Sequence, residues 1–299
     1  MTHATVGATA SNTTLRDFVS LTKPRIISLL LVTTIAPMYV AGSPSWSTVL
    51  LVALGGYLMA GGANAVNMYL DRDIDETMAR TRLRPIPGGR LAPAAVLAFG
   101  VALAAAATWL LAAFVNVLTA ALALGGFYSY VFIYTRWLKR STPQNIVIGG
   151  AAGAFPPLVG WAAVTGSLDL TAWYLFLVVF YWTPPHFWAL ALLKQRDYAR
   201  AGVPMAPNVW GERETKDEML WYACILVALT LLPVAFAAFG WIYFGSALAL
   251  DFALLHGVWR VRRAQGPEWT GAAWKLYKFS LLYLALLFAA MVIDRRLLL

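Results

Sequence analysis

Asn67, Asp71 and Asp75 recur at intervals of four, a spacing that on a helix puts all three side chains on one face. They close an apolar run in the stretch Asn67-Met-Tyr-Leu-Asp71-Arg-Asp73-Ile-Asp75, and Arg80, Arg82 and Arg84 follow at once. Only 12% of the residues are charged, so this crowding needs a reason. Oxygen ligands stacked on one helix face suit a hard cation such as Mg²⁺. With few protein ligands, Mg²⁺ completes its shell with phosphate oxygens, and arginine forks recognise the same anion. The residues therefore point to metal-assisted work on a phosphate group, with Asn67, Asp71 and Asp75 as the metal-binding and catalytic set. The competing reading is a solvated loop carrying charges that apolar helices exclude, but a mere loop has no need to space its acids by four.

The elements that must position these residues are membrane helices. Hydrophobic residues make up 60% of the chain, mean hydropathy is +0.66, and there are 13 tryptophans. These values lie outside the range of a soluble domain. Apolar stretches long enough to cross a bilayer recur at 26–42, 47–67, 93–113, 115–134, 144–163, 170–191, 219–239, 241–259 and 277–293. The expected fold is all-α and polytopic, with nine transmembrane helices forming a single domain over 21–299. Residues 1–20 are expected to be a flexible cytoplasmic tail. The tail has no apolar core of a signal peptide and no arginine-rich amphipathic pattern of a transit peptide, which favours a bacterial plasma membrane over the mitochondrial inner membrane.

Net charge is +9, from 23 basic and 14 acidic residues. With nine spans, every basic residue except Arg295 and Arg296 falls in one set of loops or, for Lys278, at the adjoining end of the last span. That is the positive-inside pattern; the basic excess reports topology and not nucleic-acid binding. It predicts a cytoplasmic N-terminus and a cytoplasmic active site. A single cysteine, Cys224, excludes an intrachain disulfide and a multi-cysteine zinc site; inside an apolar run it reads as a small core residue.

Two inner loops, 68–92 and 192–218, are long and charged. Each follows an even-numbered span and opens with acids and bases at a helix end, which suggests a distant internal duplication with two polar caps facing one cavity.

The run Asn67-xxx-Asp71-xxx-Asp75, followed by Arg80-Thr-xx-Arg84-Pro85, resembles the first acidic motif of the UbiA superfamily of intramembrane aromatic prenyltransferases. The nine-span layout extends the resemblance over the whole chain. Three segments, Leu21-Thr-Lys-Pro-Arg-Ile26, Pro184-Pro-His-Phe-Trp-Ala-Leu-Ala-Leu192 and Asp197-Tyr-Ala-Arg-Ala-Gly-Val-Pro-Met205, resemble its haem-prenylating branch more than its quinone or chlorophyll branches. Quinone-type members carry a second DxxxD cluster in the loop after the sixth span. Here Leu193 stands four before Asp197 and Ala201 four after it, so a second fully acidic metal site is not expected.

The resemblance implies transfer of a farnesyl group from farnesyl diphosphate to a vinyl group of haem b, with Mg²⁺ as cofactor, giving haem O. A quinone precursor or other aromatic acceptor is the alternative. It implies Asn67, Asp71 and Asp75 at the metal, and diphosphate binding by Lys23, Arg25, Arg80, Arg84, Lys194, Arg196 and Asp197. Lys23 and Arg25 also read as ordinary topology charges, as do Arg136, Lys139 and Arg140, for which haem propionates or diphosphate are the alternative partners. His186 and Trp188 are the haem-binding candidates. For His186 the structural alternative is a hydrogen bond to carbonyls freed by Pro184 and Pro185. His256 reads as a satisfied core histidine, and His3 lies in the tail. Trp182 and Phe187 are further candidates for lining the porphyrin. Asp73, pointing away from the acidic face, is expected to pair with Arg72 or Arg80, and Asp169 and Asp294 to be solvated. The implied partners are farnesyl diphosphate, haem b and the lipid bilayer, with haem A synthase or haem-copper oxidase assembly proteins downstream and no nucleic acid. A transporter would carry its ionisable residues near the bilayer midplane; here only Asp251 and His256, in the eighth span, fall at mid-span and the acids gather at one end, which favours an enzyme.

Overall fold

A computed structural model describes residues 15–235, 238–265 and 268–298. Among them the chain is all-α and contains no strand. The elements are α1 (Leu15–Thr22), α2 (Pro24–Ala41), α3 (Trp46–Leu70), α4 (Arg72–Thr77), α5 (Pro93–Phe114) and α6 (Val117–Tyr128). A π-helical segment (Ser129–Leu138) and α7 (Lys139–Ser141) continue α6. Then come α8 (Asn145–Thr165), α9 (Leu170–Leu193), α10 (Gln195–Arg200), α11 (Ala206–Val209), α12 (Glu212–Ala235), α13 (Trp241–Arg263) and α14 (Glu268–Leu298).

Among the described residues eight helices are long and apolar enough to cross a membrane, one fewer than expected. The exception is α12, whose first two turns carry Glu212, Arg213, Glu214, Lys216, Asp217 and Glu218. Its apolar part corresponds to the expected seventh span, whose residues 236–237 lie outside the described ones. The last helix is longer than its apolar core suggested: α14 begins at Glu268, so two amphipathic turns precede the expected start at 277. Residues 15–20 of the expected tail form α1, which Arg90 Nε anchors through Asp17 Oδ1 at 2.8 Å. Residues 1–14, including His3, are outside the described residues.

Neighbours in sequence pack as neighbours in space, and α14 returns against α2 and α9, closing the bundle. Small residues set the closest approach. A Cβ on Gly62 of α3 would meet the Gly100 carbonyl oxygen of α5 at 2.6 Å, so these backbones touch in the manner that drives helix association in lipid. Large apolar side chains such as Trp46, Leu50, Trp109 and Phe252 remain on the outside, where lipid is their solvent. Cys224 is among the exposed residues, not in the core as expected, because α12 turns that face away from its neighbours.

At the end opposite the acidic motif the connections are short and the helix starts are capped. Ser45 Oγ accepts from Thr48 N, Asn116 Oδ1 from Thr119 N and Asp169 Oδ1 from Ala172 N. The start of α13 follows Gly240, which has no side chain to cap with. Asp294 of α14 supplies the acceptors instead, taking hydrogen bonds from Gly240 N at 2.6 Å and Tyr243 N at 3.0 Å. It is buried and not solvated, because it meets the orphaned N–H groups of another helix.

Candidate active site

The acidic motif straddles a helix break. α3 ends at Leu70, Asp71 is the junction, and α4 resumes at Arg72. The i→i+4 backbone bonds nevertheless run on from Asn67 O to Asp71 N and from Asp71 O to Asp75 N, so the three side chains keep one face. Asp71 is 1% exposed and Asp75 2%, which excludes the reading of a solvated loop.

Cations from three other segments meet this face, two of them at the buried carboxylates and one at the amides beside them. Lys139 Nζ reaches Asp71 Oδ2 at 2.5 Å and Arg84 Nη1 reaches Asp75 Oδ2 at 2.7 Å. Lys23 Nζ donates to Asn64 Oδ1 at 3.1 Å and Asn67 Oδ1 at 3.3 Å. Lys23 caps α2 with φ of 55°, a left-handed conformation that is uncommon for a side-chain-bearing residue. The Pro24 that follows starts the helix. Burial, with Arg84 and Lys139 nearby, pulls the Lys23 ammonium down to about 7. With its three cations charged, the cluster carries a net +1 and is complementary to an added anion.

Asn67 Nδ2 donates to Asp71 Oδ2 at 2.8 Å and to Thr135 Oγ1 at 3.1 Å. Thr135 and Lys139 come from the π-helical fourth span and its continuation, which the sequence reading treats as regular helix. There Thr135 Oγ1 bonds the Tyr130 carbonyl five residues back. The wider turn aims Thr135 at Asn67 and Lys139 at Asp71 together; π-turns of this kind concentrate at functional sites. Stacked Tyr130 and Tyr134, centroids 5.8 Å apart, lie within reach of the Asp71 charge. Tyr198 of α10 joins them; burial raises its hydroxyl, with Arg80 and Arg84 opposing.

Asp73 pairs with Arg140, not with Arg72 or Arg80. Arg140 binds it through both terminal nitrogens, at 2.7 and 2.8 Å, and these hydrogen bonds pull the Asp73 carboxyl down to about 2. Arg72 is diverted to the Tyr69 carbonyl and ring. The two charged loops do face one cavity: a space of about 240 Å³ is lined by Asp73, Ile74, Thr77 and Arg140 on one side and by residues 200–203 on the other.

The remaining candidates divide. Arg80 is exposed but electrostatically close to Tyr198 and Tyr134. Asp197 sits beside Tyr198, with Arg200 at 3.7 Å. Lys194 turns to α14, its Nζ 5.8 Å from the Trp274 ring centre. Arg25 and Arg196 are exposed and make no hydrogen bond or ion pair to the acidic cluster. His186 is sandwiched between Trp182 and Tyr277, at centroid distances of 4.4 and 4.8 Å. Its Nδ1 bonds Ser280 Oγ at 2.7 Å, and that hydroxyl also reaches the Tyr277 carbonyl at 2.8 Å; with the hydroxyl proton on the carbonyl, a proton on Nδ1 completes the pair and Nε2 is left as an acceptor. The carbonyls near Pro184 and Pro185 are not its partners. Trp188 is fully buried between Trp210 and Tyr222, with no hydrogen-bond partner for its indole Nε1.

A divalent cation suits the acidic cluster. Asp71 Oδ1 is buried with no hydrogen-bond partner, and Arg140 Nη2 stands 3.6 Å away, too far to satisfy it. An unmatched carboxylate oxygen beside a second carboxylate and an amide is an oxygen-donor set for a hard metal.

The UbiA prenyltransferase family model matches residues 29–293. The protoheme IX farnesyltransferase of Roseiflexus sp. (strain RS-1) is 56% identical over 283 residues, covering 94% of this chain and 52% of that protein. The chain thus spans about half the length of the first curated relatives it matches. The protoheme IX farnesyltransferase of Symbiobacterium thermophilum is 51% identical, covering 95% of both chains. In fold the chain is similar to a UbiA homolog from Archaeoglobus fulgidus solved bound to DMAPP and Mg²⁺, with a TM-score of 0.68 at 17% identity over 92% of this chain and 99% of that one. By sequence and by architecture, the chain belongs to the UbiA prenyltransferase family.

Proposed function

We propose that this chain transfers the farnesyl group of farnesyl diphosphate to a vinyl group of haem b, with addition of water, to give haem O and diphosphate. The observation that carries the reading is the buried pair Asp71 and Asp75, with one carboxylate oxygen unmatched and three cations gathered around them at the head of an apolar bundle. The names of the relatives over 50% identical supply the acceptor.

Asp71, Asp75 and Asn67 would hold Mg²⁺, which when bound supplies Lewis-acid stabilisation of the departing diphosphate. Lys23, Arg84 and Lys139 bind the diphosphate oxygens, with Arg80 at the rim. As the C1–O bond breaks, its electron pair leaves on the diphosphate, and these fixed cations stabilise the added charge without reorganising. The allylic carbon then bonds the terminal vinyl carbon. The cation left next to the porphyrin takes the oxygen of water and releases a proton. Tyr130, Tyr134 and Tyr198 present ring faces that stabilise the allylic cation and keep bulk water from it. His186, with Nδ1 held by Ser280, offers Nε2 as an axial ligand for the haem iron. The basic residues at the site end support an active site and an N-terminus on the cytoplasmic side of the plasma membrane, with haem A synthase or an oxidase assembly factor as the proposed recipient of haem O.

The test is incubation of purified protein with haem b, farnesyl diphosphate and Mg²⁺, followed by mass analysis of the extracted haem. A haem heavier by a farnesyl group plus water, absent with EDTA, is the expected product. Unchanged haem b beside a prenylated naphthoate or benzoate would replace haem by an aromatic acceptor.

A further inference from the structure

α13 and α14 part at the end of the bundle that holds the acidic motif, the end marked by Lys194 of α9 lying over Trp274 of α14. The groove between them has a volume of about 160 Å³. Its floor is small and apolar: Ala272 and Leu276 on one side and Gly257 on the other. A Cβ on Gly257 would stand 3.1 Å from Leu276 Cδ1, so a larger residue there would fill the floor. Its rim is basic, formed by His256, Arg260 and Lys275, all exposed.

Several other charges on α12 and α13 already have partners. Asp217 is bound by Arg262, Glu212 lies 4.0 Å from Lys216, and Arg263 lies over the Trp259 ring. Among the described residues, Arg260 and Lys275 make no ion pair. Trp259 and Trp274, each over a third exposed, flank them at the depth where indoles sit in a membrane interface. Two unmatched cations over an apolar groove that opens sideways between two spans are complementary to a molecule with an anionic head and a hydrocarbon tail.

We infer that this groove binds one anionic phospholipid, with the phosphodiester on Arg260 and Lys275, His256 donating to it from one turn deeper, and an acyl chain lying over Gly257 and Leu276. The occupant is a lipid and not free phosphate, since the apolar floor has no use for a soluble anion.

The full chain in neutral detergent would be titrated with phosphatidylglycerol or phosphatidylcholine and read by native mass spectrometry. Wild-type protein is expected to retain one phosphatidylglycerol well above any phosphatidylcholine. Near an anionic lipid each basic residue is worth about fivefold in affinity, so R260Q/K275Q should weaken retention roughly twenty-five-fold by the same rule. R295Q/R296Q, at the far end of α14, should leave it unchanged. Equal retention of both lipids by the unaltered protein would overturn the proposal without any variant. So would undiminished phosphatidylglycerol binding in R260Q/K275Q, or its one-for-one displacement by haem b, which would make the groove a porphyrin site.

Discussion

Lys139 Nζ lies 2.5 Å from Asp71 Oδ2, bringing the end of the π-helical fourth span onto the first carboxylate of the acidic motif. The ammonium holds Oδ2 of the same carboxylate whose Oδ1 is left unmatched, so it draws on the charge that a metal at Oδ1 would use. Two effects of opposite sign follow for a Lys139→Met variant. Asp71 loses a competitor, so the Mg²⁺ concentration giving half-maximal rate should fall. The diphosphate loses a fixed cation, so kcat should drop by about 10²–10³, as when one oriented charge stabiliser is removed. Steady-state kinetics across a Mg²⁺ series separates the two, and Lys139→Arg should recover part of the rate. An unchanged Mg²⁺ requirement would remove Lys139 from the metal cluster.

Asp71→Asn and Asp75→Asn each delete one charge and keep the shape. Arg84 and Lys139 would then face amides, and the cluster would be more cationic, so diphosphate binding survives while the metal is lost. Turnover is expected to fall by at least about 10³, since both Lewis-acid and positioning contributions go together. Size-exclusion profiles in detergent should be unchanged. Wild-type haem O formation by both variants would overturn the metal assignment.

His186 can be separated from its own scaffold. Ser280→Ala leaves the imidazole between Trp182 and Tyr277 but frees its Nδ1 proton, at a cost of about 1–3 kcal/mol for an unmatched buried donor. His186→Ala removes the ring and Nε2 as well. If Nε2 ligates the haem iron, His186→Ala should abolish the visible spectral shift on adding haem b. Ser280→Ala should only weaken it, and farnesyl diphosphate binding should hold in both. Equal loss of haem and farnesyl diphosphate binding in His186→Ala would make the residue structural.

The spans and the acidic face were legible in the sequence because they rest on local rules: apolar length, and a four-residue spacing that survives the break at Asp71. Lys23 could be read only through the Lys-Pro-Arg segment, since nothing in its own composition separates a site lysine from a topology charge. Thr135 and Lys139 were less accessible. Their role depends on a π-turn, and Ser129–Leu138 carries no residue pattern distinguishing it from α-helix. Trp188 and Asp294 show the same limit from the other side. Whether an aromatic ring on a polar-ended helix meets a ligand or the core, and whether a terminal acid meets water or another helix, is settled by packing partners far away in sequence.

Asp294 gives the sharpest test of that long-range capping. The first turn of α13 has no side-chain acceptor of its own, and Gly240 N and Tyr243 N both donate to Asp294 across the α13–α14 interface. Removing a cap costs about 0.5–2 kcal/mol in helices that supply their own. Here one carboxylate serves two N–H groups, so Asp294→Ala is expected near the upper end of that range. The damage lies at the end of the bundle opposite Asp71 and Asp75, so turnover per folded molecule should stay at the wild-type level while the thermal midpoint in detergent falls. Asp294→Asn keeps one acceptor oxygen and should recover about half of the loss. A midpoint unchanged in Asp294→Ala would mean that water or lipid headgroups cap α13 equally well. A loss of turnover without a loss of stability would tie this end of α14 to the chemistry, through the helix that carries Ser280 to His186.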